Sequence, residues 1–224
     1  NTYVIRSSRG SSIEGFNLAI AIEEAVPLMA NAPNITPASN LELESAHAFY
    51  ASGIAYYNNG QYEQAINAFD EAIRLNSQNA GYYSWRGAAY HYLGQYERAI
   101  EDYDEAIRLD PEDANAYNNK GAAYSFLDQF ERAIETYNEA IRLNPQSAEA
   151  YYNRGLAFYR LGPSAHEPAR EDYQEAVRLD PQYIEAYNNR GIAYGYLGQH
   201  ERAISDFDEA LRMRPQHANA YYNR

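Results

Sequence analysis

At 224 residues with 46% hydrophobic side chains, the chain holds enough apolar material for a buried core, which excludes wholesale disorder. A net charge of −13, with its 18 basic residues spread singly, excludes the basic stripe that a nucleic-acid partner needs. The absence of cysteine removes disulfides, thiol nucleophiles and Cys-based zinc sites, and no apolar run approaches the length of a membrane span. The start at Asn1 rather than Met reads as a fragment or processed form. It leaves the compartment open between the cytoplasm and one reached through a removed signal peptide.

Taken in chain order, residues 1–45 do not repeat. Ser11-Ser12-Ile13-Glu14 has the form of a capping box, predicting a helix through Phe16, Ala19, Ile20 and Ile22 that Pro27 breaks. Residues 31–40, with Pro33 and Pro37, read as a linker, and Ser39-Asn40-Leu41-Glu42 as a second capping box. The segment is expected to cap the apolar face of the first repeat; lying in the groove of its own or a neighbouring molecule is the alternative.

From residue 46 the chain is periodic. Gly53, Gly87, Gly121 and Gly155 recur every 34 residues, in step with Tyr56, Tyr90, Tyr124 and Phe158 and with Ala65, Ala99 and Ala133. Within a unit, Tyr117, Gly121 and Tyr124 mark one amphipathic helix. Phe130, Ala133, Ile134, Tyr137, Ala140 and Ile141 mark a second, and Asn144-Pro145 ends it. The pattern resembles the tetratricopeptide repeat, with units at 46–79, 80–113, 114–147, 148–183 and 184–217 and a partial sixth at 218–224. That resemblance implies an all-α, right-handed solenoid of helix–turn–helix units whose first helices line a concave groove.

Two departures stand out. The residue before the repeat glycine is Ser52, Arg86, Lys120, Arg154 and Arg190 instead of an apolar one; a long basic stem along apolar surface, its head on an acid of a neighbouring helix, is expected. In the fourth unit Gly162-Pro163-Ser164-Ala165-His166-Glu167-Pro168 carries two extra residues, predicting a protruding loop and a delayed helix start.

Given the resemblance, offsets 2, 5, 6, 9, 12 and 13 of each unit form the groove stripe. Offset 6 carries Trp85, Asn119, Asn153, Asn189 and Asn223. Asn offers an acceptor and two donors, so a ladder of them suits the backbone of an extended peptide; it is similar to the asparagine ladder in the repeat region of O-linked N-acetylglucosamine transferase. Tyr50, Tyr57, Tyr92, Phe126, Tyr152, Tyr159, Tyr196 and Tyr222 add rings on the same stripe, anchors that bury much area at low entropic cost. The competing reading is that these Asn are solvated by descent and the rings pack between repeats.

The carboxylate clamp of chaperone-type repeats needs Lys and Arg in the groove, and offset 9 holds Ile54, Ala88, Ala122, Leu156 and Ile192 instead. The five His lie in separate units without metal-ligand spacing, and His200 sits at the station of Tyr62, Tyr96 and Phe130, as a core residue would. No phosphate loop, nucleophile elbow or calcium loop is present. The expectation is therefore a non-catalytic scaffold, without metal or cofactor, that holds a protein or extended peptide. The alternative is a structural module that self-associates through its terminal repeat or residues 1–45. The array stops within a helix at Arg224, so further repeats or another domain beyond it stay open.

Overall fold

A computed structural model describes residues 37–216 and 218–223. The chain divides into two compact units, Asn1–Leu41 and Glu42–Arg224. Of the first, only the start of one helix is described. The helix expected through Phe16, the linker before residue 37 and the capping role of residues 1–45 lie outside the described residues.

Eleven α-helices and one 3-10 turn succeed one another, with no strand among the described residues. They pair as α1 (Pro37–Asn58) with α2 (Tyr62–Leu75), α3 (Ala80–Tyr92) with α4 (Tyr96–Leu109), and α5 (Ala114–Phe126) with α6 (Phe130–Leu143). Then come α7 (Ala148–Leu161) with α8 (His166–Leu179), α9 (Ile184–Tyr196) with α10 (His200–Met213), and α11 (Ala218–Asn223). The chain from residue 42 onward is a right-handed α-solenoid of these hairpins. Helix α1 starts ahead of the first repeat position, as expected, but at Pro37: residues 37–40, expected as the end of the linker, are already helical, and Ser39 lies within α1 and not at its cap.

The period-34 residues explain the hairpin. A ring from each second helix is buried against the glycine of the first: a Cβ on Gly121 would stand 2.7 Å from Tyr137, and one on Gly53 would collide with the Phe69 ring. Only glycine lets the two backbones close on such a ring. Between them the chain turns through the left-handed region at Gly60, Gly94 and Gly198, and at Asp128 with φ 56°. At Gly94, Gln95 N–H donates to Tyr90 C=O at 2.9 Å and Gly94 N–H to His91 C=O at 2.9 Å, the Schellman pattern that closes a helix end.

The return turns are stitched by side chains. Asn76, Asp110, Asn144 and Asp180 each accept from the backbone N–H two residues on, at 2.9–3.2 Å. Asn79, Asp113 and Ser147 then cap α3, α5 and α7.

The fourth unit differs from expectation. Its two extra residues do not protrude. One lengthens α7 to Leu161; the other is taken up where Gly162, at φ 121°, leads into a 3-10 turn over Pro163–Ala165. Ala165 and His166 are buried, and α8 begins at His166, the station of Tyr62 and Tyr96, so the helix start is not delayed.

First helices of successive units touch, α3 with α5, α5 with α7 and α9 with α11, whereas second helices make no comparable approach. The side on which elements lie closer is the inner one, so the first helices line the concave face.

Candidate binding groove

The basic residues before the repeat glycines are braces, as their long stems suggested. Arg86 forms two bonds to Asp102 of its own unit, at 2.9 and 2.6 Å, and one to Asp70 of the unit before, at 2.5 Å. Burial works against its charge, but these two carboxylates raise its pKa above the ordinary value. Arg154 repeats the arrangement with Asp172 and Asn138, and Arg190 with Asp206. Thr136 replaces the acid in the third unit, where the base is Lys120, paired to Asp104 of the preceding unit at 2.5 Å. The first unit, lacking the base, has Ala68 where the others carry an acid or Thr.

The groove asparagines are joined across repeats. Asn153 Nδ2 donates to Asn118 Oδ1 at 3.2 Å, Asn189 Nδ2 to the Tyr152 hydroxyl at 3.1 Å, and Asn223 Nδ2 to Asn188 Oδ1 at 3.2 Å. Each bond runs from offset 6 of one unit to offset 5 of the unit before. At the first junction Trp85 packs with Tyr50; burial pushes that phenol's pKa up and the indole N–H pulls it partly back. One junction is open. Asn119 faces the station of Ser84, whose hydroxyl is buried without a partner, and the Asn119 amide makes no side-chain bond among the described residues. Serine is too short to complete the link.

The predicted rings fall into two groups. Tyr50 and Tyr152 are half-buried against Phe69 and Tyr82 and against Tyr173 and Tyr183, packing between repeats. Tyr57 stands edge-on to Tyr62, Trp85 and Tyr92, and the others form a series along the groove edge. Tyr92 stacks on Tyr62 with centroids 4.9 Å apart, Phe126 on Tyr96 at 5.0 Å, and Tyr196 leans on His166 at 4.7 Å, beside Tyr159. In the fourth unit Arg160 takes the same place over Phe130, 5.3 Å from its centroid. Tyr92, Phe126 and Tyr196 remain 61–65% exposed, each with a face toward solvent. The station beneath them is half-buried at Tyr62, Tyr96 and Phe130 and fully buried at His166, whereas His200, expected to be packed there, is exposed. The Tyr222 side chain lies outside the described residues.

Four of the predicted residues line one cleft. Tyr57, Tyr92, Phe126 and Asn119 surround about 460 Å³ together with His91 and Tyr96, over a floor of Ala88 and Ala122. The floor makes the cleft. Elsewhere the same station holds the larger side chains of Ile54, Leu156 and Ile192. His91 is edge-on to Phe126 at 5.0 Å, and burial lowers its pKa below the ordinary histidine value. The two small residues at offset 9, between larger ones, were visible in the sequence; His91 carried no signal apart from its place beside Tyr92. No group of acids and histidines is placed to hold a metal ion, and no helix is long and apolar enough to cross a membrane, among the described residues.

A right-handed array of two-helix units, with paired Gly and ring positions and a first-helix groove, defines a class. The profile of the TPR repeat matches residues 53–94, 89–125, 127–162 and 165–198, and that of the tetratricopeptide repeat residues 184–217. The chain belongs to the tetratricopeptide repeat family. Among solved structures it is similar to MamA, at 30% identity and TM-score 0.67 over 74% of this chain and 96% of that one. It is likewise similar to MamA residues 41–end from Desulfovibrio magneticus RS-1, at 26% identity and TM-score 0.70 over 77% and 97%. YrrB, described as a TPR protein with an unusual peptide-binding site, shares the fold at 24% identity and TM-score 0.66, over 91% and 95%. None of the curated proteins matches the sequence.

Proposed function

We propose that the chain is a non-catalytic scaffold that holds an extended segment of a partner protein along its concave groove, with the cleft over Ala88 and Ala122 as the anchor. The observation that carries this reading is the coincidence, in the second and third units, of an open ring-walled cleft and an unpaired groove amide. Elsewhere the ladder asparagines already donate one amide hydrogen to a neighbouring repeat, so their grip on a peptide backbone is reduced. Each remaining bond contributes about 1 kcal/mol net, against association costs of about 4–15 kcal/mol. A ladder alone therefore binds weakly, and ring burial in the cleft must supply most of the affinity, toward the low micromolar range.

Peptides selected from a random library on the full chain test this, followed by titration against Tyr57→Ala and Phe126→Ala. The reading expects affinities to fall about tenfold or more. Selected peptides indifferent to both substitutions would contradict it. Self-association through the terminal repeat or residues 1–45 is the alternative; light scattering at high concentration decides, since a clean monomer removes it.

A further inference from the structure

We infer that the cleft over Ala88 and Ala122 takes the guanidinium of an arginine presented by a basic, extended partner segment, an inference that rests on the groove reading above. Three observations converge on it. The first is the wall. Tyr92 and Phe126 each have one face stacked within the array and the other open, and Tyr57 and Tyr96 complete the surround. Such faces attract cations, and a planar guanidinium best of the protein cations.

The second is precedent within the chain. Where the third and fourth units meet, the ring of the edge series is replaced by Arg160, seated over Phe130. Arg132 lies 4.3 Å from the Tyr124 centroid and donates to its hydroxyl at 2.9 Å. The geometry that stacks rings between repeats thus accepts a guanidinium.

The third is charge. Every described arginine and the single described lysine already bonds a side chain of the array, twelve of them an acid and Arg98, Arg132 and Arg202 a glutamine amide, so none of these cations lines the cleft unengaged. Glu63 and Glu97, next in sequence to the stacked Tyr62 and Tyr96, are exposed and form no ion pair among the described residues. The net charge is −13. Inside the cleft, Asn119 Oδ1 stands ready to accept the N–H groups that an arginine brings, and His91, held neutral by its burial, adds a second acceptor.

The test uses three short Gly/Ser peptides identical except for one residue type: arginine, its neutral isostere citrulline, or leucine. Each is titrated at physiological salt against the full chain, Ala122→Leu and Phe126→Leu. Leucine at 122 copies the side chain that the fourth unit carries at Leu156, and position 126 is exposed, so both variants are built to fold. The wild type should prefer arginine over citrulline by about tenfold. In either folded variant that preference should fall to about twofold, the residue left by diffuse charge. A preference that survives both substitutions, or leucine bound more tightly than arginine, overturns the proposal. Leucine binding that Ala122→Leu abolishes would leave the groove reading standing while removing the cation. Binding of no peptide at all removes both.

Discussion

Arg86 shows how single residues hold this array together. Its guanidinium joins a buried acid of its own hairpin to an acid of the hairpin before, so one side chain ties two units. Removing one partner strands the other: Arg86→Leu should cost about 3 kcal/mol, because Asp102 stays buried with its charge unmatched. Arg86→Leu with Asp102→Ala should recover most of that, since the first unit manages with Ser52 and Ala68 at the same stations. Urea unfolding of the two variants checks it, and equal losses would contradict the brace. His91 gives a pH-dependent counterpart. Its pKa is lowered in the folded state by burial, so as pH falls through about 6.5 the unfolded chain takes up the proton first. Stability then declines with falling pH until the folded-state value is passed. His91→Gln should flatten this part of the profile between about pH 7 and 5; identical slopes for the two chains would refute it.

At the scale of helices and turns, the glycines separate two roles. A methyl group at Gly121 meets the buried Tyr137 ring at 2.7 Å, so Gly121→Ala should destabilise by about 2 kcal/mol. Gly195 lies in a helix with nothing within 4 Å of the added carbon, and Gly195→Ala should stabilise by about 0.5–1 kcal/mol. Thermal melts of both would show opposite shifts; shifts of one sign would mean that helix propensity and not ring packing governs the repeat glycines. The helices were legible in the sequence because the period-34 glycines, rings and alanines encode their contacts directly. The fourth-unit turn was not, because two extra residues and two prolines say nothing of whether Ala165 and His166 face in or out. The asparagine ladder was legible as a set of stations, but its bonding was not. The partner of Asn153 is Asn118, and that bond depends on how far one unit rotates past the next. The cleft was half legible: its rings were found by their offsets, but Ala88 and Ala122 entered only as positions without the basic residues of a carboxylate clamp, and their small size was not used.

For the array as a whole, each hairpin contacts mainly its neighbours, so stability approximates a sum of hairpins and junctions. The junctions are not equal. Those marked by Asn153, Asn189 and Asn223 carry a side-chain link in the groove, and that between Ser84 and Asn119 carries none. The same place has the small floor and the open ring faces, so the junction without a groove link is also the one equipped to receive a partner. Surplus negative charge should draw a basic segment toward the groove, an attraction that salt screens over about 10 Å, while the cleft holds it at short range. The most direct measurement is an NMR titration of the full chain, labelled at its alanine methyls, with the arginine-bearing peptide. Ala88 and Ala122 should shift first and furthest while alanines of the second helices, such as Ala106 and Ala140, stay in place. Shifts confined to the second helices, with Ala88 and Ala122 unmoved, would contradict it.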